Sequence, residues 1–550
     1  MKRRINPIVV VCLLIVVVAV LGLATHMIIK YTPTKKEMDL NEYYGQVADD
    51  EAAIVIGTEI LEQRAAMSGD QPYIPIEVVN SYLNQRYYWD AEGQQVLYAT
   101  PSELTSASAS TEAGGDVWLK DGNVYLSLDY IKKYTDIDTY VYQQPARVTI
   151  QKDFSGIQTV TVQKDTYVRY RGGIKAEVLT KVNKGDSLIY MESLEDWVQV
   201  ATWDGYIGYV ETNKISAPQE TTIERTFLEE TYTYLTMDEP VNMVWHQVMS
   251  AEANAGLADA IGEMTGVNVI SPTWFYVQDN DGNIVNNATT DYVEAAHRSG
   301  LQVWGLVDNF TQEISTMEVL SRTSSRQNLI SQLISAALEA GIDGINVDFE
   351  QLSEDVGIHF LEFLRELSIE CHKNNLVLSV DNPVPEDFTS HYDRAEQGRV
   401  VDYVIIMGYD EHYVGSEEVG SVASLPWVEK GIQDTIAEVP AERVINAIPF
   451  YTRLWKTEAG TLSSEAIGMD QAQEVLNTYN AEVYWDNDVS QNYGSFENEG
   501  AHYQIWVEDA QSIAAKVQLV PKYNLAGVAA WKLGFENSSI WQVITDNLTE

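Results

Sequence analysis

The sequence of 550 residues has few of the residues that build disulfides, zinc sites or nucleic-acid interfaces. Its two cysteines, Cys12 and Cys371, cannot form a disulfide framework. Its eight histidines are scattered without the spacing of a zinc site, so we predict no metal and no cofactor. Lysine and arginine number 35 against 81 aspartate and glutamate residues, and the net charge of −46 repels phosphate backbones. We therefore predict no nucleic-acid partner.

Apolar and aromatic residues are present in the amounts of a packed protein. The hydrophobic share is 45%, with 13 tryptophans and 32 tyrosines, which is far above the content of disordered acidic chains. Because ordinary domains hold about 100–200 residues, this length predicts three or four folded units with an acidic surface.

The first long apolar run, residues 8–29, follows the basic residues Lys2, Arg3 and Arg4. A helix of that length spans about 33 Å, which matches a hydrocarbon core of about 30 Å. By the positive-inside rule, residues 1–7 form a cytoplasmic tail, residues 8–29 form a transmembrane anchor, and the rest lies outside the cell membrane. A cleaved signal peptide is the alternative, and it would make the protein secreted.

Four segments are predicted between this anchor and the last domain. Residues 30–70 are polar and predict a stalk. In residues 71–154, short β-rich runs alternate with Gly and Asp turns, which predicts a small α+β module. Residues 155–216 contain five or six closely spaced strand signals, as in a small β-barrel. Residues 217–239 are rich in Thr and Glu and predict a linker.

The end of the small β-barrel resembles bacterial SH3-like domains. The resemblance lies in the run Trp-Val-Gln-Val at residues 197–200 and in Asp-Gly-Tyr-Ile-Gly-Tyr-Val at residues 204–210. It implies a cell-wall ligand for this domain. The alternative is that Trp197 and Tyr209 only fill the core of the barrel.

Residues 240–550 alternate apolar strand-like runs with amphipathic helices, which is the pattern of a parallel sheet flanked by helices. Eight strand candidates predict an α/β fold, the TIM (β/α)8 barrel. They are residues 241–248, 267–275, 301–310, 344–350, 376–383, 403–410, 443–450 and 525–534. The length in excess of about 250 residues lies mostly at 456–505, where we predict a small inserted α+β subdomain.

The fourth strand candidate carries acids in an unusual position. Because side chains alternate along a strand, Asn346, Asp348 and Glu350 share one face, and the opposite face is apolar. The polar face then points into the barrel, where ionised carboxylates are costly. Neighbouring carboxylates disfavour joint ionisation, so one of them keeps a proton near neutral pH, as a general acid must. The alternatives are an internal hydrogen-bond network and an exposed strand end.

This run, residues 343–350, reads Asp-Gly-Ile-Asn-Val-Asp-Phe-Glu and resembles the signature DGxDxDxE of glycoside hydrolase family 18. Residues 407–410, Met-Gly-Tyr-Asp, resemble the family's MxYD at the sixth strand, and Trp531 resembles its floor tryptophan at the eighth. Residues 425–432, 448–455 and 507–536 look most like the spore-germination and cortex-lytic branch, whose substrate is peptidoglycan.

The resemblance implies substrate-assisted hydrolysis with retention of configuration, in which the protein supplies no nucleophile. Glu350 would protonate the leaving oxygen, Asp348 would orient the sugar's acetamido group, and Tyr409 would hold the acetamido oxygen. The predicted substrate-binding residues are Asp343, Asn346, Met407, Asp410, Trp531, Trp274 and Tyr451. For Trp274 and Tyr451 the alternative is core packing. Further candidates near strand ends, each with a core or loop role as the alternative, are Trp304, Trp455, Asn382, Asp308, Asn309 and His412.

Asn346 departs from the signature, because many family members carry Asp at this position. An amide cannot take up a proton, so the coupling that sets the pKa of Asp348 must involve a residue other than Asn346.

The sequence thus predicts a glycosidase, similar to a chitinase or an N-acetylglucosaminidase, that acts on a glycan polymer. The predicted enzyme cleaves a β-1,4 linkage that follows an N-acetylated amino sugar. Peptidoglycan is the first predicted substrate, and chitin is the second. The alternative is a lectin-like protein that binds cell-wall glycan on the same fold without cleaving it.

Overall fold

The computed structural model describes residues 7–45, 47–262 and 264–548. The chain divides into two compact units, Met1–Trp89 with Ala107–Glu229 and Asp90–Ser106 with Glu230–Glu550. The first unit begins with the apolar helix Pro7–Tyr31. An 18-residue stretch within its segment Ile8–Tyr31 has a mean hydropathy of 3.3, and the segment is long enough to cross a membrane, by length and composition alone.

The rest of the first unit is built mainly of β-strands. One sheet contains Glu51–Ile56, Glu59–Ser68, Gln71–Pro75, Val117–Lys120, Asn123–Ser127, Asp138–Gln143 and Ala146–Gln151, with helices Leu40–Tyr44, Ile76–Tyr82 and Leu128–Tyr134 in the same unit. A second sheet contains Ile157–Thr161, Thr166–Arg169, Val178–Val182, Ser187–Leu194, Trp197–Ala201, Ile207–Glu211 and Gln219–Thr221. The six strands that lie in residues 155–216 agree with the number of strand signals predicted there.

The predicted stalk, residues 30–70, does not agree with the structure in its second half. Residues 52–56 are buried in the strand Glu51–Ile56, which pairs with the strand Ala146–Gln151. The next strand, Glu59–Ser68, exposes Glu59 and Glu62, and such charged residues make the segment look like a polar spacer in the sequence. The predicted linker also contributes a strand, because Gln219–Thr221 pairs with Ile157–Thr161.

Parallel strands of the second unit close into an eight-stranded barrel within the described residues. They are β1 (Val241–His246), β2 (Val269–Pro272), β3 (Gln302–Asp308), β4 (Gly344–Asp348), β5 (Val377–Pro383), β6 (Tyr403–Met407), β7 (Val444–Pro449) and β8 (Gly527–Trp531). Each strand pairs with the next, and β8 pairs with both β7 and β1. The predicted TIM barrel is confirmed, and every predicted segment contains one of these strands.

The helices of the second unit pack on the outer face of the barrel strands. They are Leu257–Ala260, Thr290–Arg298, Thr316–Ser321, Thr323–Ala340, Gly357–Lys373, Arg394–Val400, Leu425–Ile436, Ala510–Val517, Leu519–Tyr523 and Ile540–Asn547. The helix Thr323–Ala340 buries Leu329 and Leu333 in the core shared with the outward residues of the strands. It ends at Gly341, whose φ of 76° suits a glycine at a helix end.

An insertion between β7 and β8 forms a separate small sheet. Its strands are Tyr451–Glu458, Thr461–Gly468, Glu482–Asp486, Gln491–Asn498 and Ala501–Val507, and its helix is Met469–Thr478. The predicted α+β subdomain is therefore confirmed, and it begins a few residues earlier than position 456.

Candidate active site

The inward face of β4 is polar, as the alternation of its residues predicts. Ile345 and Val347 belong to the outer core against the helices, so Asn346 and Asp348 face the barrel interior. Asn346 is fully buried and makes four hydrogen bonds inside the barrel. Its Oδ1 accepts from Trp245 Nε1 (2.9 Å) and Ser271 Oγ (3.3 Å), and its Nδ2 donates to Ser379 Oγ (3.1 Å) and Asp381 Oδ1 (2.8 Å).

Three aspartates lie side by side at the carboxyl ends of β3, β4 and β5. Asp308 and Asp348 are paired residues of the β3–β4 ladder. Asp381 comes directly after Val380, the ladder partner of Val347, so it stands beside Asp348 on the next strand. Neighbouring strands are about 4.8 Å apart, so these carboxyl groups are close neighbours.

The environment of these aspartates favours their protonated forms. Burial is the main cause that raises the pKa of Asp348, and the charges of Asp381, Glu350 and Asp308 add to it. Burial also raises the pKa of Asp381, although the hydrogen bond from Asn346 acts in the opposite direction. The pKa of Asp308 is raised by burial to about 6.

Glu350 follows β4 and is held through its backbone. Its N–H donates to Asn309 Oδ1 and its carbonyl oxygen accepts from Asn309 Nδ2, both at 3.0 Å. Burial raises the pKa of Glu350, with further contributions from Asp410 and Asp308. The side chain is only partly buried, so a carboxyl group with a raised pKa is accessible from the mouth of the barrel.

The end of β6 carries a second group of candidate residues. Met407 is the last residue of β6, and Tyr409 and Asp410 follow it, Asp410 with a left-handed φ of 64°. Tyr451 donates a hydrogen bond from its hydroxyl to Asp410 Oδ1 at 2.6 Å, and its ring centre lies 6.2 Å from that of Tyr409. Burial raises the pKa of Tyr409 well above its ordinary value, and the negative charge of Asp348 is the next cause. Tyr409 therefore stays a neutral hydrogen-bond donor.

Trp531 ends β8 on the inner side of the barrel. It packs on the interior apolar cluster, and its ring centre is 6.0 Å from that of Trp245. Since Trp245 also donates to Asn346, it connects Trp531 to the polar face of β4.

Comparison with known proteins agrees with this geometry. Residues 273–536 match the model of the family described as Glycosyl hydrolases family 18. The barrel is a family 18 domain. This assignment places the barrel, residues 273–536 of it, in a family of glycosidases and agrees with the resemblance seen in residues 343–350.

Several curated relatives from Bacillus subtilis (strain 168) share this family 18 domain. The protein named "Uncharacterized glycosylase YvbX" is 26% identical over 293 residues, which are 51% of this chain and 84% of the relative. "Putative sporulation-specific glycosylase YdhD" is 31% identical over 231 residues, 41% of this chain and 54% of the relative. "Cortical fragment-lytic enzyme" is 26% identical over 246 residues, which are 43% of this chain and 57% of the relative. The match thus spans only about half the length of the last two.

Solved structures share the fold of the family 18 domain. A chitinase from Chromobacterium violaceum ATCC 12472 superposes with a TM-score of 0.51 at 23% identity and covers 56% of this chain and 99% of that one. The spore cortex-lytic enzyme SleL of Bacillus cereus superposes with a TM-score of 0.52 at 20% identity and covers 60% of this chain and 79% of that one. At these identities the likeness concerns the fold alone.

Two predicted substrate-binding residues of the family 18 domain lie away from this group. Trp274 is fully buried, donates to Asn254 Oδ1 at 2.7 Å and has its ring centre 4.9 Å from that of Tyr292, so it is a core residue. Asp343 precedes β4 and lies at the amino-terminal end of the barrel, where its Oδ2 accepts from Val303 N at 2.8 Å. A strand separates Asp343 from Glu350, so the substrate-binding prediction for Asp343 and for Trp274 does not fit the structure.

The alternative core or loop role applies to four of the further candidates. Trp304 and Trp455 are buried, with Trp304 stacked on Tyr403 and Trp455 donating to Gly420 O at 2.8 Å. Asn382 is buried against Gln397, and His412 Nδ1 contacts Ser421 O at 2.8 Å.

Sequence reasoning missed Asp381, which stands beside Asp348. Its signal is the alternation in β5, where Ser379 and Asp381 are in phase while Asn382 is on the other face. Both faces of a parallel strand in a barrel are buried, so this alternation alone does not tell which face is the interior.

Proposed function

We propose that the protein is an exported, membrane-anchored glycoside hydrolase that cleaves β-1,4 linkages of N-acetylated amino-sugar glycans. The observation that carries this proposal is the group of buried acids at the end of β4, open to the mouth of the barrel at Glu350 and bordered by Tyr409 and Trp531. In TIM barrels this end of the strands holds the reactive groups.

In the proposed reaction, Glu350 acts first as the general acid. Its raised pKa keeps the proton available, and that proton moves to the leaving glycosidic oxygen as the bond to the anomeric carbon breaks. The carbonyl oxygen of the substrate's own 2-acetamido group forms the new bond to the anomeric carbon, which gives an oxazolinium ion. Water then opens this ion and gives a proton back to Glu350, so the configuration is retained.

Asp348 and Tyr409 would act on the acetamido group. The carboxyl group of Asp348 would accept a hydrogen bond from the amide nitrogen and stabilise the positive charge of the intermediate. The neutral hydroxyl of Tyr409 would donate to the acetamido oxygen. Asp348 is buried and Tyr409 is partly buried, so only a little water competes with these interactions.

Other side chains would position the sugar. Trp531 would support the apolar face of the ring, as aromatic rings commonly do. Asp410 would hydrogen-bond the sugar, and the hydrogen bond from Tyr451 would hold its carboxylate in place. Met407 would line the floor of the site at the end of β6.

Peptidoglycan is the substrate that we propose first, with chitin-type glycan second. Support comes from relatives whose names are "Cortical fragment-lytic enzyme" and "Putative sporulation-specific glycosylase YdhD". The helix Pro7–Tyr31 supports attachment to the cell membrane next to such a substrate, and cleavage of this segment as a signal peptide would release the protein instead.

A ligand from the cell wall is proposed for the first unit as well. A groove of about 1140 Å³ there is lined by Tyr43, Tyr170, Arg171, Trp197 and Tyr209, among others. Aromatic walls with a few polar groups are typical of binding sites for small polar ligands.

A lectin-like protein without activity is the second candidate for the same fold. Such a protein needs no general acid, whereas Glu350 is present, and its raised pKa suits proton transfer. Hydrolysis is therefore the better supported of the two functions.

The test is the release of reducing ends from peptidoglycan and from chitin oligosaccharides by the wild type and by Glu350→Gln. We expect Glu350→Gln to bind oligosaccharide and to lose turnover by about 10²–10⁴-fold, because an amide cannot donate the proton. An unchanged rate would remove Glu350 from the role of acid. Failure of the wild type to cleave any acetylated glycan would favour the lectin-like alternative.

The chemistry of the substrate tests the role of the acetamido group. De-acetylated glycan should stay intact, because it lacks the carbonyl oxygen that attacks the anomeric carbon. Equal cleavage of acetylated and de-acetylated substrates would contradict substrate assistance and leave hydrolysis in place. Mass spectrometry of the products from purified peptidoglycan would identify the bond and the sugar at the new reducing end.

A further inference from the structure

Asp381 is a buried carboxyl group that the proposed reaction does not use directly. It lies on the inner face of β5 and is 2% exposed, while its neighbour Asp348 on β4 is 6% exposed. In the part of the chain that the structure describes, Asp348 Oδ1 is buried without a hydrogen-bond partner. Two adjacent carboxylates in such an interior cannot both be ionised at low cost.

Asn346 determines how the Asp381 carboxyl group is oriented. The indole N–H of Trp245 can only donate, so the atom of Asn346 that faces it at 2.9 Å must be the oxygen. The Asn346 NH₂ group therefore points to β5, where it donates to Asp381 Oδ1 at 2.8 Å. An ionised aspartate at position 346 would offer no such donor to Asp381. The amide and the β5 acid thus form a matched pair.

We infer that Asp348 and Asp381 hold a single proton between them, and that Asp381 is the positioning residue that sets the charge of Asp348. The Asn346 amide occupies Asp381 Oδ1, so the proton lies on Asp381 Oδ2 or on Asp348. This inference rests on the proposed function. When positive charge grows on the substrate, the proton can reside on Asp381, and the negative charge of the pair then resides on Asp348, next to the intermediate.

The charges around the pair support one retained proton. The titratable groups around the pair, from the barrel strands, the loops that follow them and the neighbouring segments, are Asp308, Glu350, Tyr392, Tyr409, Asp410 and Tyr451. The acids among them repel a second negative charge on the pair. Burial and these charges raise the pKa of both Asp348 and Asp381.

The first experiment observes the proton in the resting enzyme without substrate. The full chain is labelled at its aspartate carboxyl carbons, and infrared spectra are followed from pH 4 to pH 10. We expect a protonated aspartate band that persists above pH 7. In Asp381→Asn, the remaining band should titrate at lower pH, because the repulsion from the second carboxyl group is gone. The matched control is Asp434→Asn on the helix Leu425–Ile436, where Asp434 is exposed and pairs with Lys430.

The absence of a protonated aspartate band at pH 7 in the wild type would overturn the inference. A band with the same titration in Asp381→Asn would do so as well. These spectra need no turnover, so they can be interpreted even if the proposed hydrolysis fails.

The second experiment exchanges the acid and the amide between strands. Asp381→Asn should lower kcat by about 10²-fold and shift the pH–rate profile, with a smaller change of KM, because Asp381 acts through Asp348. The double variant Asn346→Asp/Asp381→Asn restores one acid beside Asp348. We expect its kcat to be at least about tenfold higher than the kcat of Asp381→Asn. A purely structural role would give no such recovery. An unchanged kcat and pH profile in Asp381→Asn would overturn the positioning role.

Discussion

The aspartates at the two ends of the barrel have opposite environments. At the amino-terminal end, Asp402 accepts hydrogen bonds from Leu235 N (2.7 Å) and Leu378 N (2.8 Å) and contacts His372 Nε2 at 3.0 Å. Asp343, at the same end, contacts His297 Nε2 at 2.8 Å and Val303 N at 2.8 Å. Each carboxylate there has donors that stabilise its charge.

At the carboxyl-terminal end, the aspartates are surrounded by other acids. Asp308, Asp348 and Asp381 stand next to one another, and burial raises the pKa of each. Asp381 accepts a hydrogen bond from Asn346 and Asp308 accepts one from Phe310 N, but the pKa of each acid stays raised, so these donors do not offset burial. The three neighbouring acids therefore have a cost in stability. We propose that the amino-terminal acids stabilise the barrel, whereas the carboxyl-terminal acids take part in the reaction.

The strongest test of this difference is Asp348→Asn, at the carboxyl-terminal end. We expect kcat on acetylated glycan to fall by about 10²–10³-fold, because the amide cannot carry the negative charge that stabilises the intermediate. The thermal stability of the barrel should be unchanged or higher, since a buried acid is removed. Steady-state kinetics measure the expected loss of kcat, and thermal unfolding of the same preparation measures the expected stability. Loss of folding with intact activity per folded molecule would reverse the assignment.

The converse test is Asp402→Ala, at the amino-terminal end. The substitution leaves the backbone N–H groups of Leu235 and Leu378 without their acceptor, and we expect a loss of about 2–3 kcal/mol in unfolding free energy. The kcat of the folded protein should remain close to the wild-type value. Denaturant unfolding followed by tryptophan fluorescence measures the first quantity. A stable Asp402→Ala variant with impaired turnover would contradict the structural role.

Asp308→Asn tests, as a function of pH, how much a member of the group Asp308, Asp348 and Asp381 destabilises the fold. The pKa of Asp308 is about 6 in the folded protein, against about 3.9 in an unfolded chain. The folded state therefore binds the proton more tightly, and stability falls as the pH rises from about 4 to about 6. Allowing for its partial exposure, we expect the variant to be more stable than the wild type by about 1–2 kcal/mol at pH 7 and by almost nothing at pH 4. An equal gain at both pH values would exclude the carboxylate as its source.

Much of this arrangement was predictable because it depends on residue alternation. The strands of the barrel are apolar and separated by amphipathic helices, so their number and positions follow from the sequence pattern. The inward position of Asn346 and Asp348 follows from the apolar residues Ile345 and Val347 between them. The roles assigned to Glu350, Asp348 and Tyr409 remain predictions from the family resemblance.

The remaining features depend on contacts between segments that are distant in the chain. Asp381 acquires its importance only from the register of β5 against β4, which places it beside Asp348. Trp274 lies two residues past the end of β2 and turns into the core with Tyr292, which the aromatic signal alone does not show. The strand Glu59–Ser68 looks polar in sequence because it contains Glu59 and Glu62, and both of these residues are exposed in the structure.

The smallest effect is expected for Asp343→Ala at the amino-terminal end. The pair with His297 is partly exposed, with side-chain exposures of 32% for Asp343 and 42% for His297, so water and salt weaken it. We expect a loss of about 1 kcal/mol in unfolding free energy, from the pair with His297 and from the hydrogen bond of Val303 N, and only the part from the pair should disappear in high salt. Because Asp343 lies a full strand away from Glu350, the substitution should act on stability and leave the affinity for oligosaccharide as it is. Weaker oligosaccharide binding by Asp343→Ala at unchanged stability would mean that the two ends of the barrel are not functionally separate.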